Sequence, residues 1–296
     1  MHNRGRGSGH ERGDPASVKA ARGYAHAEAV TALQEALVHV ERLSADGGRD
    51  RRRLELVLRL AHSLHRLGRL QESINLLLRH QEQLEQLEEP SLAGPYYFLL
   101  GRGYNLLGDR ERATQSLQRA VAEAQRCEDK VTLGKVSYML AFEEMWSDPL
   151  LGIEHGRRGV ALLEGTGERY WLGLAHWVLG FNYLTVGEFD QALEAATRVQ
   201  AIGEAIGDPR LPSWAAWLSG VIYATRGDGE AGIAACQRGL ERAPIPYDTA
   251  LAQGYLGYAY IEEGDPGRAI PVLEPADFGP DRQGRRRPLA GGDSSH

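Results

Sequence analysis

A small residue recurs along this chain at a nearly constant spacing of about 40 residues. Its positions are Ala61, Gly101, Ala141, Gly180, Gly220 and Gly257. Successive members are separated by 40, 40, 39, 40 and 37 residues. A period kept this regularly predicts stacked copies of one structural unit, which together bury a continuous core that no single unit could bury alone.

The second copy shows what each unit contains. From Tyr97 to Ala120, large and small apolar residues alternate at helical spacing, with a turn after Gly108. Gly101 is small enough for two helices to approach closely, and Ala113 and Ala120 are small where the helices cross. The turn glycine, usually followed by Asp or Glu, recurs as Gly68, Gly108, Gly187, Gly227 and Gly264. Each unit is therefore predicted to be a helix-turn-helix hairpin.

These residue types at these spacings resemble the tetratricopeptide repeat (TPR) signature, a helix-turn-helix unit of about 34 residues. The resemblance covers roughly residues 20–276. It implies an all-α fold, a right-handed α-solenoid of about six full repeats with a partial one at the N-terminus. We expect this solenoid to occupy residues 16–276. The Gly- and Arg-rich residues 1–15 and the unpatterned residues 277–296 are predicted to be disordered tails.

A looser resemblance adds a functional expectation. Arg22-Gly23-Tyr24-Ala25 opens the first helical stretch, and Glu188-Phe189-Asp190-Gln191-Ala192 follows a turn glycine. With the long period, these segments resemble the C-terminal repeat regions of bacterial signal-transducing ATPases, including nucleotide-cyclase/ATPase/TPR proteins and related transcription activators. The resemblance implies that the repeats sense an effector or a partner. The ATPase and cyclase parts do not occur in this sequence, so their activities are not implied.

Composition and charge narrow the class of protein. No apolar run approaches the ~20 residues of a membrane span, and residues 1–15 lack the apolar core of a secretion signal. Cys127 and Cys236 are expected to be small buried hydrophobes in a reducing compartment. The net charge is −6, and residues 1–14 and 277–296 each carry +1, so the segment between them carries −8. We therefore expect a cytoplasmic protein that binds neither membranes nor nucleic acid, because phosphate contacts need a basic face.

No pattern of residues predicts catalysis. His62 and His65 lie three residues apart on one helical face, but no third zinc ligand follows at a matching spacing. The sequence has no GxxxxGK[ST] phosphate-binding loop and no GxSxG or Cys/His nucleophile arrangement. Asp277-Phe278-Gly279 matches a kinase tripeptide, but the other kinase motifs are missing. We predict a protein that is not an enzyme and uses no metal or other cofactor.

The first helices of the hairpins are expected to lie side by side and to line the inner, concave wall. By helical spacing, the residue one position after each small residue and the residue three positions before it should face this wall. The predicted partner-binding residues are His62, Phe98, Arg102, Asn105, Tyr138, Phe142, Trp177, Phe181, Trp217 and Tyr258. Two interpretations stay open: the aromatic members form an exposed groove, or they are core between the first helices.

Two functions follow from this wall. The first is a non-catalytic scaffold that binds a protein partner, as a helix or an extended peptide, along the concave face. A small apolar effector is a further candidate ligand. The alternative is an effector-sensing regulatory module of a signal-transducing ATPase, nucleotide cyclase or transcription regulator system. The carboxylate clamp of chaperone-binding TPR proteins uses Lys and Asn at such positions, so the aromatic residues here argue against it.

Overall fold

A computed structural model describes residues 15–42 and 47–274 of the chain. Within these ranges every regular element is a helix, and the succession of hairpins is the predicted one. The expected tails at 1–15 and 277–296 lie outside the described residues, except for Pro15, which begins the first helix. None of the helices in the described ranges is long and apolar enough to cross a membrane.

The helices are α1 (Pro15–Glu41), α2 (Gly47–Arg66), α3 (Leu70–Arg79), α4 (Gln81–Leu87), α5 (Pro90–Leu106), α6 (Arg110–Arg126), α7 (Lys130–Glu144), α8 (Pro149–Leu163), α9 (Arg169–Thr185), α10 (Phe189–Ala205), α11 (Arg210–Thr225), α12 (Gly229–Glu241), α13 (Pro246–Glu262) and α14 (Pro266–Leu273). The first helices of the six hairpins are α2, α5, α7, α9, α11 and α13. The chain divides into two compact units, unit 1 (residues 1–178) and unit 2 (residues 179–296), with the division inside α9.

Three of the described hairpin turns combine the predicted glycine with a capping aspartate. Gly108 has a φ of +82°, in the left-handed region that ends many helices and that suits glycine. Asp109 then caps α6, because its side chain accepts a hydrogen bond from the N–H of Arg112. The same glycine–aspartate pair precedes α12 and α14. Before α10 the glycine is kept, but Glu188 makes no side-chain cap.

The recurring small residues lie where the two helices of a hairpin touch. A Cβ atom added to Gly101 would lie 2.9 Å from Leu117 Cγ and 3.2 Å from the carbonyl oxygen of Ala113. Ala61 and Ala141, which occupy the same slot, are fully buried. The close approach of α5 and α6 therefore depends on the absence of a side chain at this slot.

Three local expectations are wrong. The apolar pattern predicts one helix over residues 71–87, whereas a turn at His80 (φ −110°, ψ 8°) separates α3 from α4. Neither Gly nor Pro marks this break, so the pattern gives no sign of it. The segment SADGGRDR at 44–51 predicts a loop because it is polar and contains two glycines, but α2 begins at Gly47 and the segment is helical from there onwards. Cys236 is buried as expected, but Cys127 is exposed because it follows the last residue of α6 at the helix end.

Candidate functional site

In unit 1 the first helices lie side by side and form the surface that we call the first-helix wall. Helix α2 contacts α5, and α5 contacts α7. The first turn of α9 also packs on this wall, because the Trp171 ring meets Phe98 and Tyr138 edge to face, at centroid distances of 5.2 and 5.9 Å. The start of α9 thus covers side chains that an open wall would expose.

Positive side chains gather on the rings at the start of α9. We call Arg66, Arg102, Lys135, Tyr170 and Trp171 the cation–aromatic cluster. Cζ of Arg102 and Nζ of Lys135 each lie 5.3 Å from the Trp171 ring centroid, and Arg66 stacks on Tyr170 at 4.3 Å. Lys135 also pairs with Glu168 at 3.1 Å. Trp171 is only 3% exposed, and a cation attracts an aromatic ring more strongly where water is excluded.

The predicted wall residues of unit 1 divide into a buried and an accessible set. The buried set is Phe98, Tyr138 and Trp177, with 2%, 6% and 5% exposure. The accessible set is His62, Arg102, Asn105 and Phe142, each partly exposed. The two sets meet where Phe142 stacks on Trp177, with a centroid distance of 6.2 Å and an interplanar angle of 28°. In the chain by itself, the buried aromatic residues are core, and a partner can reach only the accessible set.

Asn105 links two neighbouring first helices near their C-terminal ends. Its Nδ2 donates a hydrogen bond to Oε1 of Glu143 over 2.7 Å, which joins α5 to α7. Burial raises the pKa of the Glu143 carboxyl, and the hydrogen bond from Asn105 partly offsets that rise. Both side chains are partly exposed, so a partner on the wall would meet a pre-oriented polar pair.

His65 lies beneath the wall. It is buried, and its Nδ1 lies 3.1 Å from the carbonyl oxygen of Ala61 and 3.4 Å from Oγ of Ser73. Its Nε2 has no hydrogen-bond partner in the described part of the chain. Burial, reinforced by the positive charge of Arg102, lowers the pKa of His65 to about 3. Among the described residues, no group of three or more His, Cys, Asp or Glu side chains could hold a metal ion.

The burial of His65 predicts that acid weakens the fold. In the unfolded chain the imidazole titrates near its ordinary pKa of 6.5, whereas in the folded chain its pKa is about 3. Below pH 6.5 the unfolded state therefore binds a proton that the folded state does not bind. This single group should lower the free energy of unfolding by about 2 kcal/mol between pH 6.5 and about pH 5.

Urea unfolding at the two pH values measures this loss. His65→Gln should remove the contribution, while His39→Gln, a change at an exposed position of α1, should keep it. Identical pH dependence in the wild type and His65→Gln would contradict the assignment.

In unit 2 the predicted residues Phe181 and Trp217 stack with Tyr255. The Trp217 and Tyr255 rings are nearly parallel, with centroids 4.3 Å apart and an interplanar angle of 9°. Phe181 lies 5.8 Å from Trp217 and 5.7 Å from Tyr255. Phe181 and Trp217 are buried, so they too are core. Tyr258 stays partly exposed, and its hydroxyl lies 3.1 Å from Oγ1 of Thr225.

In unit 2 an ion pair between the partly exposed Arg210 and the buried Asp248 connects α11 to α13. Nε of Arg210 donates to Oδ1 of Asp248 over 2.9 Å, and Nε1 of Trp214 donates to the same oxygen over 3.0 Å. The guanidinium also stacks on Trp214, with Cζ 4.6 Å from the ring centroid. Asp248 has no exposed surface, and burial raises the pKa of its carboxyl, while Arg210 opposes the rise.

Sequence reasoning missed most of the cation–aromatic cluster, although a signal was present. Lys135 precedes the predicted Tyr138 by three residues, and Tyr170 precedes the predicted Trp177 by seven. Arg66 follows the predicted His62 by four. Extending the wall face by one or two helical turns would have reached all three positions. Tyr255 likewise precedes the predicted Tyr258 by three residues. Trp171 does not follow that spacing, and only the packing of the helices identifies it.

Comparison with known proteins identifies the fold. No family model matches the chain, and no curated protein matches it. A Rap protein complexed with competence and sporulation factor has a TM-score of 0.67 and 13% identity, covering 88% of this chain and 75% of that chain. The apo form of RapI has a TM-score of 0.56 and 12% identity, covering 90% and 76%.

A third similar structure is a signal transduction ATPase with numerous domains that has a tetratricopeptide repeat sensor, from Pyrococcus horikoshii. Its TM-score is 0.55 at 17% identity, covering 88% of this chain and 40% of that chain. At such low identities these likenesses define the fold alone. They confirm the predicted class, an all-α, TPR-like solenoid of helical hairpins.

Proposed function

We propose that this chain is a non-catalytic interaction module that captures a peptide or a partner helix on the first-helix wall of unit 1. The observation that supports this proposal is the combination of exposed polar side chains and buried aromatic side chains on the wall. His62, Arg102 and Asn105 are partly exposed polar side chains on the first helices, Arg102 lies over the buried Trp171 ring, and the predicted wall residues Phe98, Tyr138 and Trp177 are buried. Binding sites commonly combine such an apolar floor with a few polar groups that fix the orientation of the ligand.

A similar structure supports binding as the role of this fold. The Rap protein with a TM-score of 0.67 was solved in complex with competence and sporulation factor. On the wall described here, the polar groups are an imidazole, a guanidinium and an amide on adjacent first helices. Such groups suit hydrogen bonding to a peptide, and a rigid wall keeps the ordering cost of binding low. On unit 2, Tyr258 is proposed as a second contact residue because it is partly exposed, whereas the predicted residues Phe181 and Trp217 lie in the core.

A second function is favoured by the likeness to the tetratricopeptide repeat sensor of a signal transduction ATPase. In this alternative the module senses an effector for an ATPase, nucleotide cyclase or transcription regulator system. A small apolar effector would bind at the Phe142–Trp177 stack, where an aromatic ring is partly exposed. Such a ligand should quench or shift tryptophan fluorescence in the absence of any protein partner.

Selection of short peptides from a displayed library tests the interaction function. Asn105→Ala combined with Phe142→Ala should weaken binding of the selected peptides by about tenfold or more, because the two changes remove a polar and an apolar contact from the wall. Fluorescence anisotropy with labelled synthetic peptides measures the change.

Gln115→Ala combined with Gln118→Ala is the matched control, since both residues are exposed on α6, outside the wall. This variant should bind as the wild type does, and circular dichroism should show the same helix content in all three proteins. A library that yields no binding peptide, or equal losses in the two variants, would refute the proposal.

A further inference from the structure

We infer that unit 2 binds a second copy of this chain, with the two α13 helices packed antiparallel about a two-fold axis. The contact uses the outer face of the last described hairpin, α13–α14. The first-helix wall belongs to unit 1, so self-association is a function additional to peptide binding. On unit 2, the partner that Tyr258 contacts is then the second copy.

The preceding hairpin, α11–α12, shows how such a face is covered within the stack. Helix α13 packs on both α11 and α12. The Tyr255 ring stacks on the Trp217 ring, and the carbonyl oxygen of Tyr255 lies 3.6 Å from Sγ of Cys236. Asp248 also accepts a hydrogen bond from Trp214. The first helix of each hairpin in unit 2 can therefore bury the outer face of the hairpin before it.

The same face of α13–α14 is not covered by any residue that the structure describes. The hairpin repeats α11–α12 at a distance of 37 residues, which separates Gly257 from Gly220 and Asp265 from Asp228. On the earlier hairpin the residues of this face are buried, namely Trp214, Trp217, Val221, Ala224 and Ile233. Their equivalents are accessible: Leu251, Gly254 and Tyr258 are partly exposed, and Ile261 and Ile270 are 53% and 57% exposed.

The accessible residues of α13 form a seam of the kind that packs against another helix. Leu251, Gly254, Tyr258 and Ile261 follow one another at intervals of three, four and three residues. This spacing places them on one side of the helix, as in helices that pack lengthwise in pairs. Ile270 adds exposed apolar surface on α14. Large exposed apolar surfaces on globular proteins mark contact sites.

The sequence that follows α14 does not offer a helix to cover this seam. Residues 275–296 contain two large apolar residues, Phe278 and Leu289, and prolines at 275, 280 and 288. A covering helix needs several apolar residues on one face and no proline in its interior. Helix α13 meets both requirements, since its prolines are confined to the first residue, Pro246. The α13 helix of a second copy is therefore the occupant.

The seam is also complementary to itself. Leu251 lies five residues before Leu256, and Ile261 lies five residues after it. Gly254 and Tyr258 lie two residues before and two residues after Leu256. In an antiparallel pair with its axis level with Leu256, Leu251 lies opposite Ile261 of the second copy. Tyr258 lies opposite Gly254 of the second copy, which has no side chain to obstruct the ring.

Charge favours the antiparallel orientation over the parallel one. Glu262 and Glu263 are both exposed at the C-terminal end of α13. A parallel pair would place these carboxylates beside their own copies, and like charges at a contact weaken binding. In the antiparallel pair the two acidic ends lie at opposite ends of the contact. This arrangement is isologous, the commonest kind of contact in soluble dimers.

Sedimentation equilibrium of the intact chain at increasing concentration tests the self-association. The mass should rise from 32.6 kDa towards twice that value. Ile261→Glu should weaken the dimer by about a hundredfold, because the loss is about tenfold per site and the two-fold axis repeats it. The matched control is Leu150→Glu on α8 of unit 1, where Leu150 is 66% exposed. This control should associate as the wild type does.

Cross-linking tests the register. Leu251→Cys and Ile261→Cys are made separately in a Cys127→Ser chain, because Cys127 is exposed whereas Cys236 is buried. A short bismaleimide should join the two variants when they are mixed. Each variant alone should not cross-link, since a residue and its own copy are then offset by ten residues, or about 15 Å along the helix axis.

Three results would refute the dimer as described. A mass of 32.6 kDa at every concentration would mean that residues 275–296 or a different protein covers α13. Equal effects of Ile261→Glu and Leu150→Glu would place the contact elsewhere. Cross-linking of a single variant as efficiently as the mixture would contradict the antiparallel register. The mass of the wild-type chain decides the first point even if a variant does not fold, and none of these results bears on peptide binding by unit 1.

Discussion

Replacing Arg210 by alanine should lower the free energy of unfolding of unit 2 by about 3–5 kcal/mol at neutral pH. The guanidinium is the only cation bonded to the Asp248 carboxylate among the described hydrogen bonds, and that carboxylate has no exposed surface. Without Arg210, Asp248 would keep the N–H of Trp214, while its Oδ2 already has no hydrogen-bond partner in the described residues. The variant would thus contain a buried and uncompensated charge.

The loss of stability caused by Arg210→Ala should be smaller in mild acid than at neutral pH. Burial raises the pKa of Asp248 and the charge of Arg210 opposes that rise, so Arg210→Ala should raise the folded-state pKa further. The unfolded carboxyl keeps its ordinary pKa of 3.8. Between these two values the folded state binds a proton that the unfolded state does not bind, so the stability of the variant should increase as the pH falls through the folded-state pKa towards 3.8. Urea unfolding at neutral pH and in mild acid measures this recovery.

Two further variants separate charge from packing. Asp248→Asn has nearly the same shape, carries no charge and retains an acceptor oxygen for Trp214, so Arg210→Ala with Asp248→Asn should be more stable than Arg210→Ala alone. Arg226→Ala removes a cation from an exposed pair with Asp190, with side chains 49% and 93% exposed, and should cost no more than about 1 kcal/mol. Equal losses in Arg226→Ala and Arg210→Ala would refute the role of the buried charge.

The parts of the fold that the sequence predicts well are those determined within one hairpin. Gly108 and Asp109 form the turn because a left-handed residue and a side-chain acceptor are needed at adjacent positions, whatever the neighbouring hairpins do. Gly101 marks the helix contact for a similar reason, since the atoms nearest to it belong to Ala113 and Leu117 of its own partner helix. Local chemistry decides these features, so residue types at a fixed spacing are enough to find them.

Whether the wall residues are buried or exposed could not be predicted in the same way. Phe98 and Tyr138 are buried because Trp171, from a hairpin that follows later in the chain, packs on them. Whether α9 reaches that far depends on small rotations between successive hairpins, and these add up over several repeats without a signature in any one of them. Sequence spacing therefore predicts which residues face the wall, but it leaves open whether they are core or groove.

The small residue that recurs in each hairpin also marks a position where an added methyl group would disrupt the packing of the two helices. Gly220→Ala should lower the free energy of unfolding of unit 2 by about 3 kcal/mol, at the upper end of the usual cost of overpacking. The new Cβ would overlap Sγ of Cys236 and lie 2.8 Å from both the amide nitrogen of Cys236 and the carbonyl oxygen of Gly232. Two of these three atoms are backbone atoms of α12, so a change of rotamer cannot make room for the methyl group.

Gly94→Ala is the matched control, because its Cβ would make only ordinary contacts, 3.5 Å from the nearest atoms of Ala124 and Thr132. Gly94 directly precedes Pro95 inside α5, and a proline ring disfavours the helical conformation of a preceding residue that has a Cβ. This cost opposes the gain in helix propensity, so the change should stay within about 1 kcal/mol of neutral. Adding Cys236→Ala to Gly220→Ala removes the sulfur but leaves both backbone contacts, so it should not restore wild-type stability. Urea unfolding of the three variants measures the differences. Full recovery of stability in the double variant would mean that the sulfur alone limits the approach of α11 to α12. Little recovery would show that the distance between the two helix backbones leaves no room for a side chain at position 220.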